Sequence, residues 1–177
     1  MPTIIVKVLG TVLVTALISR PLWSPGADPG ILREVSALGI SGALLTVAVF
    51  FGLVALYCRL LQRTLALIGP EDRAASPASV WWMFAIPYNF TEDFYIVRNL
   101  TRSLTADGRT APEAVRRWAV LGYAWCAFQI LSLLPGTPGY LGGAIAIPLW
   151  VAHWIMTARV RRALATGNTA VSPVYRP

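Results

Sequence analysis

The chain gathers its apolar residues into long blocks, and the longest, VSALGISGALLTVAVFFGLVALY from Val35 to Tyr57, runs 23 positions without a charge. About 20 such residues match the hydrocarbon thickness of a bilayer. A backbone placed in lipid must satisfy its own hydrogen bonds, and a helix does so within one segment. Of the 177 residues 56% are hydrophobic and 13% charged, against about 25% charged in soluble domains. The expected class is an all-α integral membrane protein forming a single membrane domain over residues 1–177, with spans at about 4–20, 35–58, 114–134 and 138–158.

Each span has its own start and stop signals. The first, Ile4 to Ile18, has Lys7 near its start and Arg20 just beyond its end. It resembles a signal peptide, but "TALISRPLWS" offers arginine and proline where small cleavage-site residues belong, so a retained helix is expected. The second opens at Asp28-Pro29-Gly30, with the aspartate as cap and the proline in the first turn, and is expected to continue through "CRLLQRTLALIGP" to Gly69-Pro70. The third opens with a capping box, Thr110 to Glu113, and the fourth with Thr137 as cap followed by Pro138. The uncharged turn "PGTPG" joins these two as an antiparallel hairpin.

Net charge is +7, and its distribution sets the orientation. Arg59, Arg63, Arg73, Arg98, Arg102, Arg109, Arg116 and Arg117 lie between the second and third spans, and Arg159, Arg161, Arg162 and Arg176 follow the fourth. With Lys7 they form the basic side, facing only Arg20 and Arg33 on the other. Positive-inside bias then puts both termini in the cytoplasm. Basic residues that set topology and meet anionic headgroups require no nucleic acid, so membrane lipid is the expected charged partner. Cys58 and Cys126 fall in apolar runs, as buried thiols do, and no disulfide framework is expected.

The stretch "VWWMFAIPYNFTEDF", Val80 to Phe94, breaks the pattern. It is too short to cross, and Pro87 interrupts any helix through it. Trp81, Trp82, Tyr88 and Tyr95 favour headgroup level, where the ring is buried and the polar atom stays wet. Asn89 and Glu92 read as cap and reciprocal partner of a helix in which Phe90, Phe94, Val97, Leu100 and Leu104 share one arc, with Arg98 and Arg102 outside it. The segment 80–105 is therefore expected to lie along the cytoplasmic interface as an amphipathic helix. A re-entrant hairpin is the alternative, and it needs protein cover for its non-helical backbone.

An arginine-bearing end of the second helix (Tyr57, Arg59), an aromatic loop (Trp82, Phe84) and an apolar-Pro-x-Asn element (Pro87, Asn89) together resemble the core of a bacterial family of four-helix membrane proteins of unknown function. The resemblance covers about a third of the chain, which lacks the second proline that often follows the asparagine in that family. It implies the four-helix topology and no activity.

Little chemistry is on offer. His153, the sole histidine, falls within the fourth span. It could be an axial ligand to a haem or chlorophyll-type pigment, or a proton carrier, but an interhelical hydrogen bond is the expectation, so no cofactor is assigned. Gln129 suits the same bonding role. Glu92 and Asp93 could hold a cation, although carboxylates opening a helix are ordinarily dipole partners. No His/Cys metal cluster, glycine-rich phosphate loop or catalytic set is present, and no acid falls inside an expected span, which weighs against an ion-coupled transporter.

Small residues recur at helix-packing spacing: Gly139 with Gly143 and Gly142 with Ala146 in the fourth span, Ala37 with Ser41 and Gly39 with Ala43 in the second. The expected function is a non-catalytic accessory subunit packed against other subunits of a larger complex, such as a photosynthetic reaction-centre or respiratory assembly, in a bacterial inner (cytoplasmic or intracytoplasmic) membrane. A pigment- or haem-binding subunit using His153 and a small oligomeric transporter or channel are the alternatives.

Overall fold

The computed structural model describes residues 2–24 and 37–167. Within them all regular structure is helical: α1 (Pro2–Trp23), α2 (Gly39–Ala66), a 3-10 turn (Pro70–Asp72), a 3-10 segment (Pro77–Phe84), α3 (Asn89–Asp107), α4 (Pro112–Leu131) and α5 (Thr137–Ala165). Three stretches, Thr3–Arg20, Gly39–Ala66 and Thr137–Ala165, are long and apolar enough to cross a membrane. The fourth expected span, in α4, is not among them, because Arg116, Arg117 and Gln129 dilute its apolar run.

Several helix ends differ from expectation. The Asp28-Pro29 start lies outside the described residues. α2 stops at Ala66, ahead of Gly69-Pro70. Its free carbonyls are taken by arginines instead: Arg73 donates to the carbonyls of Leu65 (3.1 Å), Ile68 (2.8 Å) and Ala66 (2.9 Å), and Arg109 donates to that of Leu67 (2.8 Å). Cations at a helix C-terminus also meet the favourable end of its dipole. Thr110 does not cap α4, which starts from Ala111 with no side-chain cap and Pro112 leading. Proline opens a helix well because its missing N–H would be unpaired there anyway. Gly136 rather than Thr137 precedes α5, in a left-handed conformation (φ 68°) that suits glycine.

The apolar core sits toward one end of the molecule. Tyr57, Cys58, Leu61 and Leu65 of α2 pack with Val97, Leu100 and Leu104 of α3, Trp118 of α4, and Val160 and Leu164 of α5. Both cysteines are buried and free, as expected. The most apolar eighteen residues of α2 contain no buried side chain, and those of α1 contain only Val14.

α3 forms as a helix over Asn89–Asp107 and packs along α4. Gly108, left-handed at φ 69°, ends it, and a short turn sends the chain back as α4. The two helices then run antiparallel, with Phe94 stacked on Tyr123 (6.4 Å) and Val97 against Gly122. The face expected to rest on lipid is therefore largely covered by protein: Val97, Leu100 and Leu104 are buried, while Phe90 and Phe94 are half-buried.

Candidate functional site

The connection between α2 and α4 is a hairpin that runs down one helix and back up another. Its descending limb, Pro77–Phe84, follows α2: Trp81 donates from Nε1 to Gln62 Oε1 (3.0 Å), Cys58 Sγ contacts the Val80 carbonyl (3.5 Å) and Met83 Sδ (3.4 Å), and Phe84 stacks on Phe51 (5.9 Å). Phe51 is twelve residues inside the start of α2, about 18 Å along it at 1.5 Å per residue. After Pro87 the chain turns and α3 returns beside α4. Near its base the Ala74 N–H donates to Ser103 Oγ (2.9 Å).

Polar side chains gather at the tip of this hairpin. Lys7 of α1 donates to Glu92 Oε2 (2.5 Å) and to the Tyr88 hydroxyl (3.0 Å), and its ammonium sits 4.3 Å from the Tyr95 ring centroid. Glu92 is thus the counter-ion of Lys7 and not the N3 partner of a cap. Nor does Asn89 cap α3: Tyr88 precedes the helix with no side-chain cap, and Asn89 is its first residue, with its side-chain oxygen buried and unpartnered. α1 comes close enough here that a Cβ on Gly10 would lie 2.8 Å from Thr91 Oγ1.

Asp93 is 2% exposed, and its Oδ1 has no partner. Burial pushes its carboxyl well above the usual carboxylate range, the Gln129 amide pulls partly the other way, and Glu92 adds to the rise. Glu92 and Asp93 were expected as a pair of dipole partners, yet one is salt-bridged and the other is packed against α4.

The remaining residues expected at the membrane interface divide between the two limbs. Trp81 stacks on Phe84 (5.8 Å) as well as bonding Gln62, and Trp82 is exposed and edge-on to Tyr88 (5.9 Å). Tyr95 donates to the Thr3 carbonyl (3.4 Å), and Arg98 and Arg102 are exposed. The small residues of α5 are used within the chain. Gly139, Gly142 and Ala146 are buried on the side facing α4, and a Cβ on Gly143 would sit 3.8 Å from Ser132 Cβ. On α2, Gly39 has nothing within 4 Å of where a Cβ would lie, and Ala43 is only half-buried.

His153 occupies a second polar centre, enclosed by aromatic rings. It shares a hydrogen bond with the Tyr57 hydroxyl through Nδ1 (2.5 Å), and Trp118 lies against its ring (4.4 Å between centroids). Trp118 Nε1 donates to Thr157 Oγ1 (2.9 Å), which donates to the His153 carbonyl (2.7 Å). Nε2 faces Gly122, where even an added methyl carbon would approach to 2.7 Å. A metal with a surrounding macrocycle does not fit between this nitrogen and α4, so the geometry does not suit an axial ligand. It suits a packed interhelical bond, which the side chain makes with Tyr57.

The Lys7–Glu92 pair was not foreseen from sequence, although a signal for it existed. A lysine inside a span calls for an acid within reach, and Glu92 and Asp93 are the acids nearest to Pro87. Searches of family models, curated proteins and solved structures find no match to this chain.

Proposed function

We propose that this chain is a non-catalytic subunit of a larger membrane complex, embedded in a bacterial inner membrane. The observation that carries the proposal is the uncovered apolar surface of two spanning helices. α1 touches the rest of the described chain chiefly at the tip of the hairpin, and the outer half of α2 is bare around Ile40, Leu44, Leu45 and Phe50. Glycines on this bare stretch, Gly39 and Gly52, have open space where a Cβ would project, as suits close approach by another helix. A photosynthetic reaction-centre or respiratory assembly is the kind of complex that carries so small an accessory chain.

In this proposal the chain crosses four times, with both termini and the arginine-rich connection in the cytoplasm. α4 makes the third crossing even though it is less apolar than the others. At 20 residues it is about 30 Å long, and α3 and α5 shield its flanks from lipid. The segment between the second and third crossings is a re-entrant hairpin: its contacts with Phe51 and Gln129 favour this over an interfacial helix, and α2, α3 and α4 supply the protein cover its backbone needs.

Native electrophoresis of gently solubilised membranes tests the subunit role. The chain should migrate in an assembly of fixed composition far larger than its own 19.2 kDa. Gly52→Trp should release it from that assembly while leaving its own helix content and melting unchanged. A wild-type chain that migrates alone, with no companion of fixed stoichiometry, would contradict the proposal.

A further inference from the structure

α3 and α4 carry three arginines on one side of their pairing, and no acid among the described residues neutralises them. The antiparallel register is set by Phe94 stacked on Tyr123 (6.4 Å) and by Val97 against Gly122, where an added Cβ would lie 3.0 Å from Val97 Cγ1. Counted from these pairs, Arg102 of α3 and Arg116 of α4 come level, toward the base of the hairpin. At about 100° per residue, Phe94, Arg98 and Arg102 fall within an arc of about 80° on α3, and Tyr123, Val120 and Arg116 within about 60° on α4. Phe94 and Tyr123 meet on one side of the pair, so the three arginines emerge on that side. All three are exposed, as are Val120 and Tyr123. The ion pairs among the described residues, Lys7–Glu92 and Arg109–Asp107, use none of them. Glu113, one turn before Arg116, is exposed and does not pair with it.

We propose that Arg98, Arg102 and Arg116 bind one anionic phospholipid, with its phosphate among the guanidinium groups and an acyl chain along Val120 and Tyr123, toward the tip. A guanidinium fork can bond two phosphate oxygens at once. Residues four apart on a helix have Cβ atoms about 6 Å apart, so Arg98 and Arg102 can hold one phosphate together. A zwitterionic headgroup brings its own ammonium toward the cations and loses the net attraction, so the site discriminates by headgroup charge. The level also suits a headgroup: in the proposed re-entrant placement Ile86 lies in hydrocarbon and Thr105 in water, and Arg98 and Arg102 fall between them. That level rests on the placement, whereas lipid selectivity is read without reference to depth, so the two can fail separately.

Native mass spectrometry of the full chain, released from mixed micelles, reads the selectivity. Phosphatidylglycerol and phosphatidylcholine with the same acyl chains are supplied in equal amounts, and the wild type should retain one phosphatidylglycerol in preference. Each arginine near the headgroups changes binding by about fivefold. Arg98→Gln with Arg116→Gln should therefore lower the preference at least about tenfold, while Arg98→Lys with Arg116→Lys, which keeps the charge, should retain most of it. Arg159→Gln with Arg162→Gln, two exposed arginines of α5, should leave it unchanged. Equal retention of the two lipids by the wild type would overturn the proposal, as would an equal loss in the α5 variant. Displacement of the lipid by glycerol 3-phosphate at matched concentration would also overturn it, in favour of a site for free phosphate. If the neutralised double variant does not fold, Arg98→Gln alone decides the matter, with a loss of about fivefold expected and an unchanged ratio contradicting the site.

Discussion

Gly142→Leu should prevent α4 and α5 from closing into their hairpin. A Cβ at this position would lie 2.6 Å from the Ser132 backbone nitrogen and 2.7 Å from the Leu131 carbonyl carbon. These are backbone atoms, which cannot swing aside as a side chain can. Overpacking a filled interior costs about 1–3 kcal/mol where neighbours yield, and here the cost should exceed that range. Because Trp118 and His153 meet across the same pair of helices (4.4 Å), the variant should also loosen the aromatic cage and change tryptophan fluorescence. Gly143→Leu is the control: its nearest neighbour is a side-chain atom at 3.8 Å, so it should accumulate better than Gly142→Leu.

The second large effect is expected at Glu92. Its side chain is 7% exposed and holds Lys7, so Glu92→Ala leaves an ammonium inside the first span without its counter-charge. Removing one partner of a fully buried pair costs about 3–5 kcal/mol, and the cost here should fall below that range because the Lys7 side chain is 23% exposed. The loss should fall on the docking of α1 and leave the rest of the fold largely intact, because α1 meets the other described helices mainly through α3. A cysteine pair at positions 10 and 91 reports that docking, in a background lacking Cys58 and Cys126. A Cβ on Gly10 would lie 3.6 Å from Thr91 Cβ, within the separation a disulfide bridges. The bridge should form readily with Glu92 present and fail in Glu92→Ala. Exchanging the charges, Lys7→Glu with Glu92→Lys, should restore part of it. Equal bridging in all three would mean that the ion pair does not hold α1.

Much of the helical architecture is legible from residue pattern because lipid imposes a simple rule: a long charge-free run has to become a helix. The runs of α1, α2 and α5 follow it directly, and the boundary glycine Gly108 does what a left-handed C-cap requires. Local capping rules fared worse. Thr110, Asn89 and Thr137 each have the right chemistry for a cap, but the neighbouring prolines of α4 and α5 and the burial of Asn89 shift the helix starts. The arc of Phe94, Val97, Leu100 and Leu104 was legible as apolar, yet periodicity cannot distinguish a face that meets lipid from one that meets another helix. That ambiguity is why the packing of α3 against α4 was not legible from the pattern.

The polar site was the least legible part. Lys7, Glu92, Asp93 and Gln129 are spread over more than 120 positions, and only the hairpin brings them together. Its existence also changes one inference drawn from sequence. No acid falls within an expected span, but α3 carries two acids to the level of Gly10 and Gln129.

The measurement that bears most directly on this account is the depth of the hairpin tip. A spin label at Ile86, which is 52% exposed, can be compared with one at Thr105 near the hairpin's base, both in the cysteine-free background in lipid bilayers. If the hairpin is re-entrant, Ile86 should be relaxed strongly by dissolved oxygen and hardly at all by a water-soluble nickel chelate, with the opposite balance at Thr105. Equal access of the nickel chelate to both positions would put the tip at the membrane surface and contradict the account.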